Sequence, residues 1–196
     1  MKTLSPVLLL AILVLTIPGG LRAQTRKYDI KSGIITFEQT STMGKMKVQE
    51  KIVVSFDDYG MRECRESFDG DVVKEIFFSD GKTLYTVMPA QKTAYKRGEA
   101  SRGTELRFDW DEISAKDKAD GKAKKCGNVT VAGKPCESFE VTSSAGKMTF
   151  AGWNHITLLT DMDGNQMKSV TRAVTVEENA RVPAEKFTVP AGFVVK

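Results

Sequence analysis

Along most of the chain apolar and polar residues alternate with a period of two, the pattern of strands that keep one face wet and one dry. Val48, Ile52, Val54 and Phe56 share a parity with Glu50, while Gln49, Lys51 and Ser55 fall on the other side with Val53. An earlier strand is marked by Ile35 and Phe37. A later one sets Val72, Ile76 and Phe78 against Val73, Glu75 and Phe77, as a strand buried on both faces does. Residues 84–88, 136–142, 148–153 and 166–176 complete the clearer strands. Residues 156–160 are apolar and β-rich, and read as a strand or as a loop tucked under the sheet.

Short turn signals separate these runs: Asp58-Tyr59-Gly60, Asp69-Gly70, Asp80-Gly81, Ala145-Gly146 and Asp163-Gly164-Asn165. Gly and Asn accept the positive φ of tight hairpins, so each turn sends the next strand back beside its predecessor. The pattern predicts a mainly β meander. One segment departs from it. Between Thr104 and Ala119, the spacing of Leu106, Trp110 and Ile113 suits one face of a helix, with Thr104 as N-cap and Glu105, Asp109, Asp111 and Glu112 towards its front. Pro183 and Pro190 exclude a regular central strand near the C-terminus. There Val182, Phe187, Val189 and Phe193 alternate with turn formers, as in a tail pinned over a core edge.

The first residues have the form of an export signal. Lys2 precedes an eleven-residue apolar run, Val7 to Ile17, which Pro18-Gly19-Gly20 ends. That run is too short to span a bilayer. Ala23 before Gln24 supplies a cleavage site, giving a signal peptide over 1–23 and a single β domain over 24–196. The expected product is exported, periplasmic or extracellular, and has no transmembrane anchor after cleavage. Its 27 basic and 25 acidic residues create no field for nucleic acid. The basic cluster of Lys116, Lys118, Lys122, Lys124 and Lys125 is diluted by Asp117 and Asp120, and reads as a solvated surface. In an oxidising compartment, three cysteines predict one disulfide and one free thiol. Cys126 and Cys136 flank the Ala132-Gly133-Lys134 turn and are the expected pair, with Cys64 a half-buried strand residue.

Catalytic chemistry finds few candidates. His155 is the single histidine, no Gly-x-Ser-x-Gly elbow presents a serine, and the Cys and His residues lack zinc spacing. Asp161-Met162-Asp163-Gly164-Asn165 has its glycine fourth and Arg172 at the twelfth place, so it fits a hairpin and not an EF-hand. No phosphate-binding glycine loop and no Cys-x-x-Cys occur. Asn128-Val129-Thr130 matches a glycosylation sequon by pattern. These readings predict a non-enzymatic protein without a cofactor or a metal.

What the chain does carry is apolar and aromatic surface. Phe37, Val54, Phe56, Ile76, Phe78, Leu84, Met88 and Trp110 are the residues expected around a hollow on the concave side of an incompletely closed sheet. The same residues would serve equally as an ordinary core. Methionines at 43, 46, 61, 88, 148, 162 and 167 add adaptable surface of the kind that suits loosely shaped apolar ligands.

The stretch Ser79-Asp80-Gly81-Lys82-Thr83-Leu84-Tyr85-Thr86-Val87-Met88-Pro89 resembles the outer-membrane lipoprotein carrier superfamily of the LolA, LolB and RseB type. Members run a strand through an Asp-Gly-Lys turn into an aromatic-bearing strand that ends at a proline before a Lys-rich strand, here Lys92 to Arg97. The stretch from Gly33 to Thr40 is similar to that group's first strand, and Val131 to Cys136 to its later Gly-turn-strand. The closing Val182-Pro183 to Phe187 and Pro190-Ala191-Gly192-Phe193 is similar to the ending of secreted relatives.

The resemblance implies a curved, open antiparallel sheet, a half-barrel, with one principal helix packed on its concave side and a hydrophobic cavity for acyl chains. Carriers place a helix before the first strand, whereas here only Gln24 to Ser32 precede it. The lid is therefore shortened, or supplied by Thr104 to Ala119. The leading expectation is a non-catalytic cell-envelope protein that binds a lipid, a lipidated protein or another apolar ligand. The alternative is a structural or sensory envelope protein whose filled sheet binds another protein.

Overall fold

The computed structural model describes residues 26–100, 106–111, 113 and 115–196. The expected signal peptide, 1–23, lies outside the described residues, as do Thr104, Glu105 and Glu112 of the expected helix. Six strands run out in succession: β1 (Gly33–Met43), β2 (Met46–Asp57), β3 (Arg62–Asp69), β4 (Val72–Ser79), β5 (Thr83–Met88) and β6 (Thr93–Glu99). After the short α1 (Ala115–Ala119), five more return: β7 (Ala123–Val131), β8 (Lys134–Ser143), β9 (Gly146–Trp153), β10 (Ile156–Gly164) and β11 (Lys168–Glu178). A last pair of residues forms β12 (Val194–Val195).

All twelve join one open sheet in the order β12-β6-β5-β4-β3-β2-β1-β11-β10-β9-β8-β7. Every pairing is antiparallel except β12 with β6. The chain is thus two meanders that meet at the centre, where β1 pairs with β2 on one side and β11 on the other. Residues 156–160, open between strand and loop in the sequence, belong to β10.

The sheet is dry on different faces in different places. Directly paired residues of antiparallel strands share a face, so Ile35 with Val54 and Phe37 with Ile52 form one apolar surface across β1 and β2. It belongs to the larger core, with Tyr28, Phe56 and Ile156. Val54 pairs with Arg65, so Cys64 next to it points to the opposite face. There Cys64 pairs with Phe78 and Ile76 with Val87, and Val87 with Ala94. This second core is covered by Phe187, Val182, Val189 and Phe193 of the C-terminal tail. Over the tail, the Lys186 ammonium lies 2.6 Å from the Glu66 carboxylate, and β12 secures the end against β6. The sequence expectation of a tail pinned over a core edge matches this arrangement.

An N-terminal clasp closes one end of the larger core. The Lys27 and Tyr28 amides donate to the Tyr59 carbonyl, and the Asp29 amide donates to the Asn154 carbonyl. The Tyr28 hydroxyl donates to buried Glu63 at 2.6 Å, and its ring meets Phe56 edge-on. Lys27 is buried beside it, and burial lowers its ammonium pKa while Glu63 works the other way. Gly60, at φ +82°, lies so close that any Cβ would strike the Tyr28 ring.

The helix expected over Thr104–Ala119 is replaced, among the described residues, by the five-residue α1 with no buried side chain. Ahead of it residues 106–108 bond to the sheet, and the chain then turns, with the Ile113 amide donating to the Trp110 carbonyl. The Phe108 amide donates to the His155 carbonyl and the Thr157 amide to the Leu106 carbonyl, around an Arg107–Ile156 bridge. Asp109 accepts from the Asp111 amide at 2.9 Å, a local turn that competes with helix.

All three cysteines are free thiols, so the expected Cys126–Cys136 disulfide is absent. Cys136 pairs with Val129 and is buried in the larger core, whereas Cys126 sits exposed at the bulge between Lys125 and Gly127. Burial, with the Glu66 carboxylate nearby, pushes the Cys64 thiol up to about 12. Native labelling with an alkylating agent at neutral pH is expected to modify Cys126 alone, and unfolding to release the other two. A protein with one reactive thiol after denaturation would restore the bridge.

Candidate functional site

The crossover at residues 106–111 lies over the returning meander, and its position follows from a splay in the sheet. β10 pairs with β11 only from Leu159 to Asp163, while β11 runs on to Glu178 along β1, with which it pairs from Lys168 onward. The Arg107 bridge to Ile156 fills the gap so left. Phe108 then lies on Gly152, where a Cβ would overlap its ring, and its ring is tilted against Phe139 with centres 4.8 Å apart. Trp110 meets Phe139 edge-on at 5.4 Å, and Phe150 completes the row at 5.2 Å. The Lys118 and Lys125 ammonium groups sit 4.9 and 5.7 Å from the Trp110 ring centre.

On one side of Phe108 opens a hollow of about 410 Å³. Its apolar lining is Ile113, Phe139, Val141, Met148, Phe150 and Met162. It runs from Arg107 and Asp109 on the crossover to Ser143 and Lys147 at the β8–β9 hairpin. The Arg107 guanidinium donates to the Asp109 carboxylate at 3.0 Å. Burial pushes the Asp109 pKa up, but the Asp111 amide and Arg107 outweigh it and hold the group below the usual carboxylate range. Near the far end, Lys147 and Lys124 hydrogen bonds lower Glu140. The arrangement is an apolar body with polar groups at its two ends, the chemistry of a site for a molecule that is mostly hydrocarbon.

The eight residues named from sequence do not all meet. Phe37, Val54 and Phe56 are buried in the larger core, and the first two also border a smaller hollow of about 220 Å³ with Ile52, Leu106 and Phe150. Ile76 and Phe78 face the other side, in the core under the C-terminal tail. Leu84 and Met88 are half-buried on β5, with Leu84 paired to Ser79. Trp110 lies beside the aromatic row, and a second opening next to it also touches Trp153 and His155. His155 itself is half-exposed on the β9–β10 turn, its Nδ1 3.4 Å from Asp29. Sequence reading misses Phe139, Val141 and Phe150. Their alternation on β8 and β9 is legible, but nothing local says that a crossover roofs them. Among the described residues no cluster of His, Cys, Asp or Glu has the arrangement of a metal site, and no helix is long and apolar enough to cross a membrane.

No family model matches the chain, and no curated protein matches it. Solved structures do. An uncharacterised conserved protein from Thermus thermophilus superposes with a TM-score of 0.56 at 7% identity, over 85% of this chain and 90% of that one. MucB superposes at 0.50 with 14% identity, over 84% of this chain. A MucA/MucB complex from Pseudomonas aeruginosa gives 0.51 at 14%, over 82% of this chain and 56% of that one. This chain spans about 60% of MucB. At such identities the likeness concerns the path of the backbone. The chain shares its backbone fold with MucB and with the Thermus protein, in keeping with the fold that the resemblance implies.

Proposed function

We propose that the chain is an exported, non-catalytic binding protein of the cell envelope, with one domain over residues 24–196, that holds a lipid acyl chain or a similar apolar ligand. Curvature of the sheet into a half-barrel would place that ligand on its concave side, under the crossover. The observation that carries this reading is the hollow of about 410 Å³ lined by Phe139, Val141, Met148, Phe150, Met162 and Ile113. That size lies within the range of small-molecule sites, roughly 300–1,000 Å³. Two methionines in the wall add side chains that reshape at low cost. A single, half-exposed histidine paired to Asp29 supports the non-catalytic part.

The test is displacement of a fluorescent fatty-acid probe from the purified protein, with mass spectrometry of any lipid it retains. Val141→Trp, which fills the hollow, is expected to weaken the probe at least about tenfold while leaving the fold intact. A wild-type protein that takes up no probe and carries no lipid would overturn the reading. It would favour the alternative of an envelope protein with a filled sheet that binds another protein, as MucB does in its complex with MucA.

A further inference from the structure

The hairpin tips at one end of the sheet differ sharply in chemistry. Met43 pairs with Met46 across the β1–β2 turn, Thr42 pairs with Lys168 of β11, and Gly146 pairs with Gly164, so three tips share this end. Register also fixes the face. Met43 lies two residues beyond Ser41, which pairs with both Val48 and Ser169; Ser169 pairs with Met162, and Met162 with Met148. Val48, Met43 and Met46 therefore share the face of Met162 and Met148, which line the hollow. Ser41 and Met162 are two strand spacings apart, roughly 10 Å, with Ser169 between them, and Met43 lies two residues, roughly 7 Å, further along β1.

The outer members of this stripe are bare. Met43, Met46 and Val48 are 58, 66 and 53% exposed. Large side chains with no cover, clustered at a loop tip, mark a contact surface. Lys45 and Lys47 beside them are exposed, and no ion pair holds either among the described residues. Neighbouring tips are neutralised: Lys168 lies 2.9 Å from Asp163 and Lys147 3.0 Å from Glu140. The β3–β4 tip carries Asp69 and Asp71, so attraction to an anionic surface centres on the β1–β2 hairpin. Two bare methionines beside two exposed lysines match a lipid surface: thioethers enter the acyl boundary while ammonium groups stay among anionic headgroups.

We propose that the β1–β2 hairpin docks the protein on an anionic membrane, and that the methionine stripe leads an acyl chain from that surface into the hollow. The route through the hollow rests on the ligand-binding reading above, whereas docking stands on the hairpin alone.

Co-sedimentation with vesicles tests it, using pure phosphatidylcholine against equal parts phosphatidylcholine and phosphatidylglycerol. The wild-type protein is expected to sediment with the mixed vesicles at low salt and to be released by high salt. Lys45→Ala with Lys47→Ala should weaken that binding roughly 30-fold, and Met43→Ser with Met46→Ser about tenfold. Lys82→Glu, on the tip at the other end of the sheet, should not. The lysine variants Lys45→Ala with Lys47→Ala and Lys82→Glu should keep the fatty-acid probe affinity of the wild type. Vesicle binding that is absent, or that both hairpin variants retain, overturns the proposal, as does a hairpin that instead drives self-association in sizing experiments. A protein that takes no probe but loses vesicle binding with the hairpin variants keeps the docking and discards the hollow.

Discussion

Replacing Gly152 with alanine is expected to lower the unfolding free energy by about 3 kcal/mol and to weaken fatty-acid probe binding together with it. The backbone at Gly152 does not occupy the left-handed region, so the residue is not there for its φ. It is there because Phe108 lies on it, and any Cβ would overlap that ring. Phe139, 4.8 Å away, blocks retreat to one side. The ring must therefore leave a site where it is only 8% exposed, which forfeits roughly 2–3 kcal/mol of burial. The crossover hydrogen bonds to His155 and Thr157 weaken with it. Since Arg107, Asp109 and Ile113 form one wall of the hollow, a displaced crossover removes that wall. Urea denaturation measures the first effect and probe titration the second. The combination Gly152→Ala with Phe108→Ala should cost less than the sum of the two single changes, because the second removes the clash that the first creates. A neutral Gly152→Ala would show that the crossover does not rest on the sheet.

Phe187→Ala should be the most damaging single change in the tail, costing about 3–5 kcal/mol. Phe187 is 3% exposed in the second core, and the Arg62 guanidinium stands 5.2 Å from its ring centre. No other residue of the tail is as deeply buried, since Val182, Val189 and Phe193 are only partly covered. Loss of this ring should loosen the Lys186–Glu66 pair as well, and the cover over Cys64 goes with them. With Cys126 replaced by serine to silence the exposed thiol, Cys64 alkylation under native conditions should rise by at least the factor by which the tail detaches. Equal labelling rates in the parent and in Phe187→Ala would mean that something other than the tail shields Cys64.

Much of the sheet is written in the alternation of residues. The central strands β1 and β2 have the parity read from Ile35, Phe37, Ile52 and Val54, and the Gly-containing turns fall where the chain reverses. β7 is hidden for a physical reason: it is an edge strand whose seven inner positions are all exposed, so Ala123–Val131 offers no apolar rhythm. The crossover misleads because Leu106, Trp110 and Ile113 fit a helix, while Leu106, Phe108 and Trp110 fit a strand equally well. Only the unpaired edge of β10, contributed by residues some fifty positions later, decides between them. The candidate site is half legible for a related reason. Parity within one strand does not say which face is dry in the next, and here the dry face changes between β2 and β3. Phe37 and Phe78 therefore group together in the sequence although they lie on opposite sides.

The central place of β1 carries a kinetic consequence. Ser41 bonds Ser169 across 128 residues, so the sheet's middle seam cannot form until nearly the whole chain is present. A nascent or partly delivered polypeptide can build the outgoing hairpins, but it has a raw edge on β1 until β11 arrives. Loop closure of that span precedes any reward from pairing, which places folding among the slow, non-local cases. The molecule is thus arranged so that its central seam closes late, after the outgoing hairpins are available, and among the sheet's pairings only the β12 contact to β6 depends on a still later part of the chain.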